Sequence, residues 1–260
     1  MSSLVVWHIN SACAQTTGDI KTENLNPLVA AVKTAASPPW PGADTTEIKC
    51  LFKTLKAWAH GKDHGASRRA LCIFHQLMQE DIAVAQKYAE PIGSILWDTV
   101  SEEGYNIMAY AAYLDFRLTN DRGIYQQTGS LHQLVQVQSL VEASMKCPWN
   151  KDSLENPVSA RACALLARDL TLFFGTEMRL IHAMIPLSAN MLSPDLEKFR
   201  KAYQVFCQHA QDSLTYLTAV RKQLDCIPAN AGIDHFKSSY DHTISVYTAQ
   251  HKQHNTKSIG

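Results

Sequence analysis

The chain has 260 residues, of which 46% are hydrophobic and 18% are charged, a composition typical of globular rather than disordered proteins. Its 24 basic and 24 acidic residues leave no net formal charge, which argues against a nucleic-acid partner because phosphate contacts need an excess of Lys and Arg. Seven cysteines without a Cys-x-x-Cys pair indicate free thiols in a reducing compartment. Since no basic residue precedes Lys21 and no apolar run could cross a bilayer, we predict a cytoplasmic protein without a secretory signal.

Apolar residues recur every three or four positions between the stretches that contain Pro and Gly, and this spacing predicts an almost entirely helical protein. The clearest pattern follows Ser193-Pro194-Asp195, where Pro in the first turn and an adjacent acid both favour a helix start. In chain order, the spacing predicts helices over 4–14, 25–36, 45–58, 69–78, 105–118, 131–145, 161–185 and 196–224.

The connections between these helices are short, which predicts an all-α fold in the form of a right-handed α-solenoid, a superhelix of antiparallel helices. We expect one helical domain over residues 1–232. The remaining residues, 233–260, are polar and rich in His, and we expect them to form a terminal helix or a polar tail.

The sequence contains no Gly-rich phosphate loop, Gly-x-Ser-x-Gly elbow, His-Glu-x-x-His helix or EF-hand loop, so we predict neither an enzyme nor a bound cofactor or metal. His60 and His64 have a spacing that could share a metal, but the glycines of His-Gly-Lys-Asp-His-Gly favour a polar loop between helices. A solvated tail is favoured over a metal or pH-sensitive cluster for the histidines near the C-terminus, which are His235, His242, His251 and His254.

Several other side chains receive a structural interpretation. Cys72, Cys163 and Cys207 lie in or beside apolar stripes and are interpreted as small buried hydrophobic residues rather than nucleophiles. Surface or inter-helix pairs are favoured over a polar site for three residues of one predicted helix, namely Asp169, Glu177 and Arg179. The tryptophans, interpreted as packing residues, are Trp7, Trp40, Trp58, Trp97 and Trp149.

Three stretches follow one another in a suggestive helix order: RRALCIFHQLM at 68–78, NIMAYAAYLDFRL at 106–118, and the long pair 162–187 and 196–225. Together they resemble the ANTH domain, the phosphoinositide-binding helical solenoid of clathrin assembly proteins. The first stretch is similar to the family's W-x-V-x-x-K-x-L-x-x-x-H-x-L-(L/M) helix, with His75 at the position of the His. The resemblance in helix order and length covers about residues 4–232.

This resemblance implies an adaptor in clathrin-associated traffic, peripheral on endocytic or endosomal membranes, with a phosphoinositide surface and SNARE or coat proteins as partners. The family's headgroup site combines a Lys at the end of the first helix with a basic cluster that opens the second. Asn10 and Ser11 occupy the first position here, and Lys21 alone remains at the second, so a weakened lipid site is expected. The candidate lipid-binding residues, chosen by position and charge, are Lys21, Lys33 and Lys49.

In the family, the C-terminal helical region can dock a SNARE helix, which implies the predicted helix 196–224 as the corresponding groove. The candidate docking residues on it are Leu196, Phe199, Tyr203 and Leu214. The alternative is a helical scaffold subunit of a larger complex that does not bind lipid, because residues 1–64 carry six basic and five acidic residues. The third hypothesis is an enzyme. It rests on the eleven histidines alone, and we recognise no catalytic partner for any of them in the sequence.

Overall fold

The computed structural model describes residues 4–15, 18–36, 45–93, 101–121, 129–147, 155–224 and 238–249. Every regular element within these ranges is helical, as the spacing predicts. The helices are α1 (Leu4–Cys13), α2 (Thr22–Ala36), α3 (Thr45–Ala59), α4 (His64–Glu80), α5 (Ile82–Tyr88), α6 (Glu102–Asn120), α7 (Leu131–Met145), α8 (Pro157–Leu187), α9 (Ser193–Leu224) and α10 (238–249), with a 3-10 turn at Ser188–Asn190.

The predicted and observed helices differ most around α4 and α5. Helix α4 begins at His64 rather than at residue 69, because the Asp63 carboxylate accepts a hydrogen bond from the Ala66 amide at 2.6 Å and caps the helix there. The expected polar loop is therefore shorter than predicted. Helix α5 is not predicted by the spacing, and it begins where the Asp81 side chain accepts from the Val84 amide.

The chain folds into two compact units. Unit 1 consists of Met1–Arg122 and Lys146–Leu166, and unit 2 consists of Gly123–Met145 and Ala167–Gly260. Helix α8 thus contributes its first ten residues to unit 1 and the rest to unit 2. The predicted boundary at residue 232 lies outside the described residues, and the division of the chain at that point stays a prediction.

Helix α4 lies at the centre of unit 1, where it packs against α1, α2, α3, α5 and α6. Its sequence requires this position, because eleven of its residues are buried and an apolar surface on most sides of a helix must be covered by neighbours. Leu71, Ile73 and Phe74 are at most 1% exposed, and each such side chain stabilises the fold by about 1.5–3 kcal/mol. Phe74 also meets Phe52 of α3 edge to face, with ring centroids 5.3 Å apart.

A buried arginine of α4 closes the end of α1. Arg69 is 5% exposed, and its Nε and Nη2 both donate to the carbonyl oxygen of Cys13, at 3.3 and 3.2 Å. The last carbonyls of a helix have no partner within that helix and carry partial negative charge. Arg69 therefore satisfies this end of α1 and ties it to the centre of unit 1.

Unit 2 is built around the two longest helices and α7, which packs against α9. Phe174 of α8 and Phe206 of α9 are fully buried and stack with ring centroids 5.9 Å apart. Helix α9 begins at Ser193, where Ser193-Pro194-Asp195 predicted a helix start. Its buried residues form one face that meets aromatic and polar groups of three other helices, which are α7, α8 and α10.

Candidate functional site

Five aromatic side chains join α9 to α10 within unit 2, and we call this group the aromatic seam. Tyr203 of α9 and Tyr247 of α10 stack with ring centroids 3.7 Å apart and planes inclined by 13°. Phe199 lies 6.5 Å from the same Tyr247 ring, and Phe206 lies 5.8 Å from Tyr240. The two pairs with centroids 5.8 and 6.5 Å apart each contribute about 0.5–1.5 kcal/mol beyond the area that they bury. The seam therefore holds α10 on α9.

Helix α10 uses one amphipathic face for this contact. Tyr240, Thr243 and Tyr247 follow one another at steps of three and four, the spacing that places side chains on one side of a helix. Thr243 is 2% exposed, and its hydroxyl donates to the Ser239 carbonyl at 2.8 Å, so it enters the contact without an unsatisfied group. This is helix-in-groove recognition within one chain.

The Cys207 thiol lies where the two helices of the seam meet. The hydroxyls of Tyr203 and Tyr240 donate hydrogen bonds to Cys207 Sγ. Burial raises the pKa of the Cys207 thiol, and these two hydrogen bonds oppose part of that rise. Burial also raises the pKa of Tyr203, Tyr240 and Tyr247. The seam is consequently uncharged at neutral pH and suited to aromatic and apolar side chains.

The four candidate docking residues of α9 divide into two pairs. Phe199 is 0% exposed and Tyr203 is 7% exposed, and the ring of Tyr247 lies 6.5 Å from the first and 3.7 Å from the second. Leu196 and Leu214 are half-buried. The first pair therefore lies beneath α10, so an incoming helix could reach it only in place of α10.

A buried polar cluster lies between α7, α8 and α9 in unit 2. Glu177 is 0% exposed, and its two carboxylate oxygens each lie 3.1 Å from Nδ1 of His209. Gln138 Nε2 donates both to Glu177 Oε1 at 2.8 Å and to the Ala202 carbonyl at 2.7 Å. Nε2 of His209 also lies 3.8 Å from the exposed carboxylate of Glu142. The cluster fixes the relative position of three helices.

This cluster decides between the two interpretations of the polar residues on α8. Asp169 is 1% exposed and Glu177 is 0% exposed, so a surface location is wrong for both. Glu177 belongs instead to an inter-helix pair with His209, which lies 32 residues further along the chain. Arg179 donates from Nη2 to the Thr176 hydroxyl at 3.0 Å.

Two of the three candidate lipid-binding lysines contact carboxylates. Lys21 Nζ lies 3.7 Å from Glu23, and Lys33 Nζ lies 3.1 Å from Glu80. Lys49 is exposed in the second turn of α3. A carboxylate beside a lysine competes with a phosphate group for the same cation, so the pairs of Lys21 and Lys33 weaken any headgroup contact at these positions.

The histidine pair singled out by its spacing contacts two different groups. His60 Nε2 lies 2.6 Å from the Ile92 carbonyl, whereas His64 Nδ1 lies 3.5 Å from the Glu103 carboxylate. Of the C-terminal histidines, His242 lies on α10 with its ring 5.8 Å from that of His182. The other three, His235, His251 and His254, lie outside the described residues. Among the residues that the structure describes, no group of three or more His, Cys, Asp or Glu is placed to hold a metal ion.

The interpretation of the cysteines is confirmed for Cys72 and Cys163, which are 0% and 5% exposed, while Cys207 is half-buried. Burial raises the pKa of Cys72 to about 12, so its thiolate is scarce at neutral pH.

Trp7 is 57% exposed, and its interpretation as a packing residue is wrong. Trp58 is half-buried and donates to Asn10 Oδ1 at 2.8 Å. The other tryptophans, Trp40, Trp97 and Trp149, lie outside the described residues.

Within the described ranges, no helix combines the length and the apolar character that a membrane crossing requires. Comparison of the sequence with protein-family models and with curated proteins finds no match.

Proposed function

We propose that this protein is an ANTH-like α-solenoid adaptor that works in clathrin-associated membrane traffic, peripheral on endocytic or endosomal membranes. Its docking surface is the face of α9 beneath the aromatic seam, and its ligand is an amphipathic helix of a SNARE or coat protein. The observation that carries the proposal is the position of α10, which lies on this face as a helix. The proposal assigns no catalytic activity to the chain.

The chemistry of the face supports a helical ligand. Phe199, Tyr203 and Phe206 present apolar rings at successive turns of α9, and α10 contacts them with two tyrosines seven residues apart. An amphipathic helix from another protein carries its anchors at the same spacing. Such a helix would therefore compete with α10 for the same rings.

The composition of α10 supports its replacement by another helix. The twelve residues of 238–249 include Thr, Ile, Val, Ser and Tyr, which all have lower intrinsic helix propensity than Ala or Leu. Isolated helices shorter than about 12–15 residues are marginal in water. Its helical state therefore depends on the contact with α9, and a ligand helix with better propensity gains an advantage in competition.

Membrane association is the weaker part of the proposed activity. Lys21 and Lys33 are exposed but lie beside Glu23 and Glu80, so their attraction to anionic headgroups is partly cancelled. These two ion pairs also favour the second candidate function, a helical scaffold subunit that docks proteins and does not bind lipid. The two functions share the α9 face and differ in their response to phosphoinositide vesicles.

The test is a titration of the full chain with fluorescent peptides that span vesicle-SNARE motifs, followed by anisotropy. Tyr247→Ala weakens the hold of α10, so it should raise peptide affinity about tenfold by increasing the fraction of chains with an accessible face. Tyr203→Ala loosens α10 in the same way but also removes a ring that the ligand needs, so it should not raise affinity as Tyr247→Ala does. Tyr105→Ala is the matched control, because Tyr105 is 55% exposed in unit 1 and should leave affinity unchanged.

Far-UV circular dichroism checks that each variant remains folded. Equal affinity for the wild-type chain and the Tyr203 and Tyr247 variants would place any peptide elsewhere and contradict the docking proposal. An affinity for coat-protein segments that is the same in the wild-type and Tyr247→Ala chains would also contradict it.

A further inference from the structure

Unit 1 carries a groove between α1 and α3 that lies beside Lys49, one of the candidate lipid-binding residues, and whose walls the proposed function does not use. Its volume is about 560 Å³, and its walls are formed by two residues of α1 and five of α3. The lining residues are Val6, Asn10, Cys50, Lys53, Thr54, Ala57 and Trp58. The volume falls within the range of about 300–1,000 Å³ that is usual for binding sites.

The shape of the groove is held by its own residues. Trp58 Nε1 donates to Asn10 Oδ1 at 2.8 Å, and this bond connects the two helices across one end of the groove. Beneath the groove, Ile9, Leu51 and Leu55 are at most 1% exposed and fix α1 and α3 in the core of unit 1. The groove is therefore preformed, so a ligand loses little free energy in ordering it.

A large aromatic side chain stands next to a groove residue on α1. Trp7, which follows Val6 along the chain, is 57% exposed. Large aromatic side chains are enriched where proteins contact one another. A ridge of side chains from a partner helix could lie in the groove, with Trp7 at its edge.

The charges around the groove have one dominant sign. Helix α1 contains no Asp, Glu, Lys or Arg. On α3, Lys53 lines the groove, Lys49 lies one turn before it and Lys56 one turn after it, whereas Glu47 is the one acid of this helix. Lys56 contacts Glu90 at 3.3 Å, while Lys49 and Lys53 are exposed. The rim therefore complements a ligand that carries carboxylates.

We propose that the groove between α1 and α3 binds an acidic amphipathic helix of a partner protein. Two or three apolar side chains at i, i+3 or i+4, and i+7 fill the groove, and flanking carboxylates pair with Lys53 and Lys49. The mostly apolar walls of the groove suit a ridge of apolar side chains, whereas anionic headgroups would contact only the lysines. The site is separate from the aromatic seam, which lies wholly in unit 2.

The test uses a display library of 16-residue helical peptides selected on the full chain. The selected peptides should carry net negative charge and apolar residues at the stated spacing. Ala57→Arg fills the exposed groove and should lower their affinity at least about tenfold, and so should Lys53→Glu. Lys62→Glu makes the same charge change at an exposed position outside the groove, and it should leave affinity unchanged.

Cys50 supplies a direct readout, because it is exposed and lines the groove. A saturating selected peptide should slow its alkylation at least about fivefold, as measured by mass spectrometry of the Cys50 peptide. A Lys-for-Glu exchange in the peptide should restore binding to the Lys53→Glu chain. Selection of neutral or basic peptides, equal binding to the Lys53 and Lys62 variants, or protection of Cys50 by anionic vesicles but not by peptides would overturn the proposal.

Circular dichroism and thermal unfolding of the Ala57→Arg and Lys53→Glu chains separate a loss of binding from a loss of fold. The result for the groove does not depend on the α9 face, because the variants that test that face, at Tyr203 and Tyr247, lie in the other unit. A library that yields no groove-dependent binder also contradicts the inference.

Discussion

The ring of Tyr203 in α9 stacks on the ring of Tyr247 in α10 with centroids 3.7 Å apart. The stack occupies the face that the resemblance to the ANTH family indicates as a docking groove. A face that already holds one amphipathic helix has the shape and polarity to hold another. The chain's own helix α10 and a ligand helix should therefore compete for the same face of α9.

Loosening α10 should expose the Cys207 thiol. In Tyr247→Ala the stack with Tyr203 is lost, so α10 spends more time away from α9 and Cys207 loses both its cover and its bond with Tyr240. We expect its alkylation by iodoacetamide to accelerate about fivefold, measured site by site with mass spectrometry, because losing the aromatic contacts of Tyr247 should cost about 1 kcal/mol. Tyr105→Ala should leave the rate unchanged, and an unchanged rate in Tyr247→Ala would show that the seam does not hold α10.

Removing His209 should destabilise unit 2. His209→Leu leaves the buried carboxyl group of Glu177 with Gln138 as its remaining described partner, and a buried polar group that loses a hydrogen-bond partner typically costs about 1–3 kcal/mol. Urea denaturation should show this loss. Lys198→Ala breaks an exposed contact with Asp195 and should cost less than about 1 kcal/mol. A His209 variant as stable as the Lys198 variant would contradict the assignment of the cluster.

Two buried thiols should make the protein sensitive to alkaline pH. Burial raises the pKa of Cys13 and Cys72 from 9.0 to about 12 in the folded state. Below about pH 9 both folded and unfolded chains keep these protons. Above it the unfolded thiols lose theirs first, so the free energy of unfolding falls by about 1.4 kcal/mol per pH unit and thiol until about pH 12.

Urea titrations at pH 8 to 10.5 check this dependence. The double variant Cys13→Ala and Cys72→Ala should lose stability less steeply than the wild type as the pH rises. Cys50→Ala is the control, because Cys50 is exposed and its replacement should leave the slope unchanged. Parallel slopes for the wild type and the double variant would be incompatible with protonated, buried thiols.

Freeing the paired lysines should strengthen membrane binding. Glu23→Gln and Glu80→Gln remove the carboxylates beside Lys21 and Lys33, and a basic residue near an anionic surface contributes about 1 kcal/mol, a factor of about five. Co-sedimentation with vesicles containing a few per cent phosphatidylinositol bisphosphate should rise accordingly and fall again in high salt. Glu197→Gln, which frees Lys201 in unit 2, is the matched control.

An unchanged co-sedimentation of the Glu23 and Glu80 variants would remove the lipid part of the proposed function. The scaffold alternative would then account for the chain, with the α9 face as its docking surface.

The sequence predicts most helices well because their apolar spacing is long and regular. The bounds of α7, Leu131–Met145, agree with the prediction, and α9 starts at its predicted capping sequence. Helix α5 has seven residues, fewer than two turns, so its spacing carries little signal. The sequence signal for the start of α5 was its capping residue Asp81, and Asp63 was the corresponding signal for the start of α4 at residue 64.

The candidate site was harder to predict, because it depends on contacts between distant residues. The pattern of α9 identifies Phe199 and Tyr203 as apolar, but it does not reveal that Tyr247, more than forty residues later, covers them. The spacing of the two α10 tyrosines, seven residues apart, was a usable signal within a polar stretch. Burial of Glu177 likewise depends on His209 in another helix.

Hydrogen–deuterium exchange of the full chain, with and without a saturating vesicle-SNARE-motif peptide, tests the central claim most directly. We predict that the peptide increases amide exchange in 238–249, because it displaces α10, while exchange in α9 stays slow or slows further. Unchanged or slower exchange in 238–249 on peptide binding would contradict a shared docking face on α9.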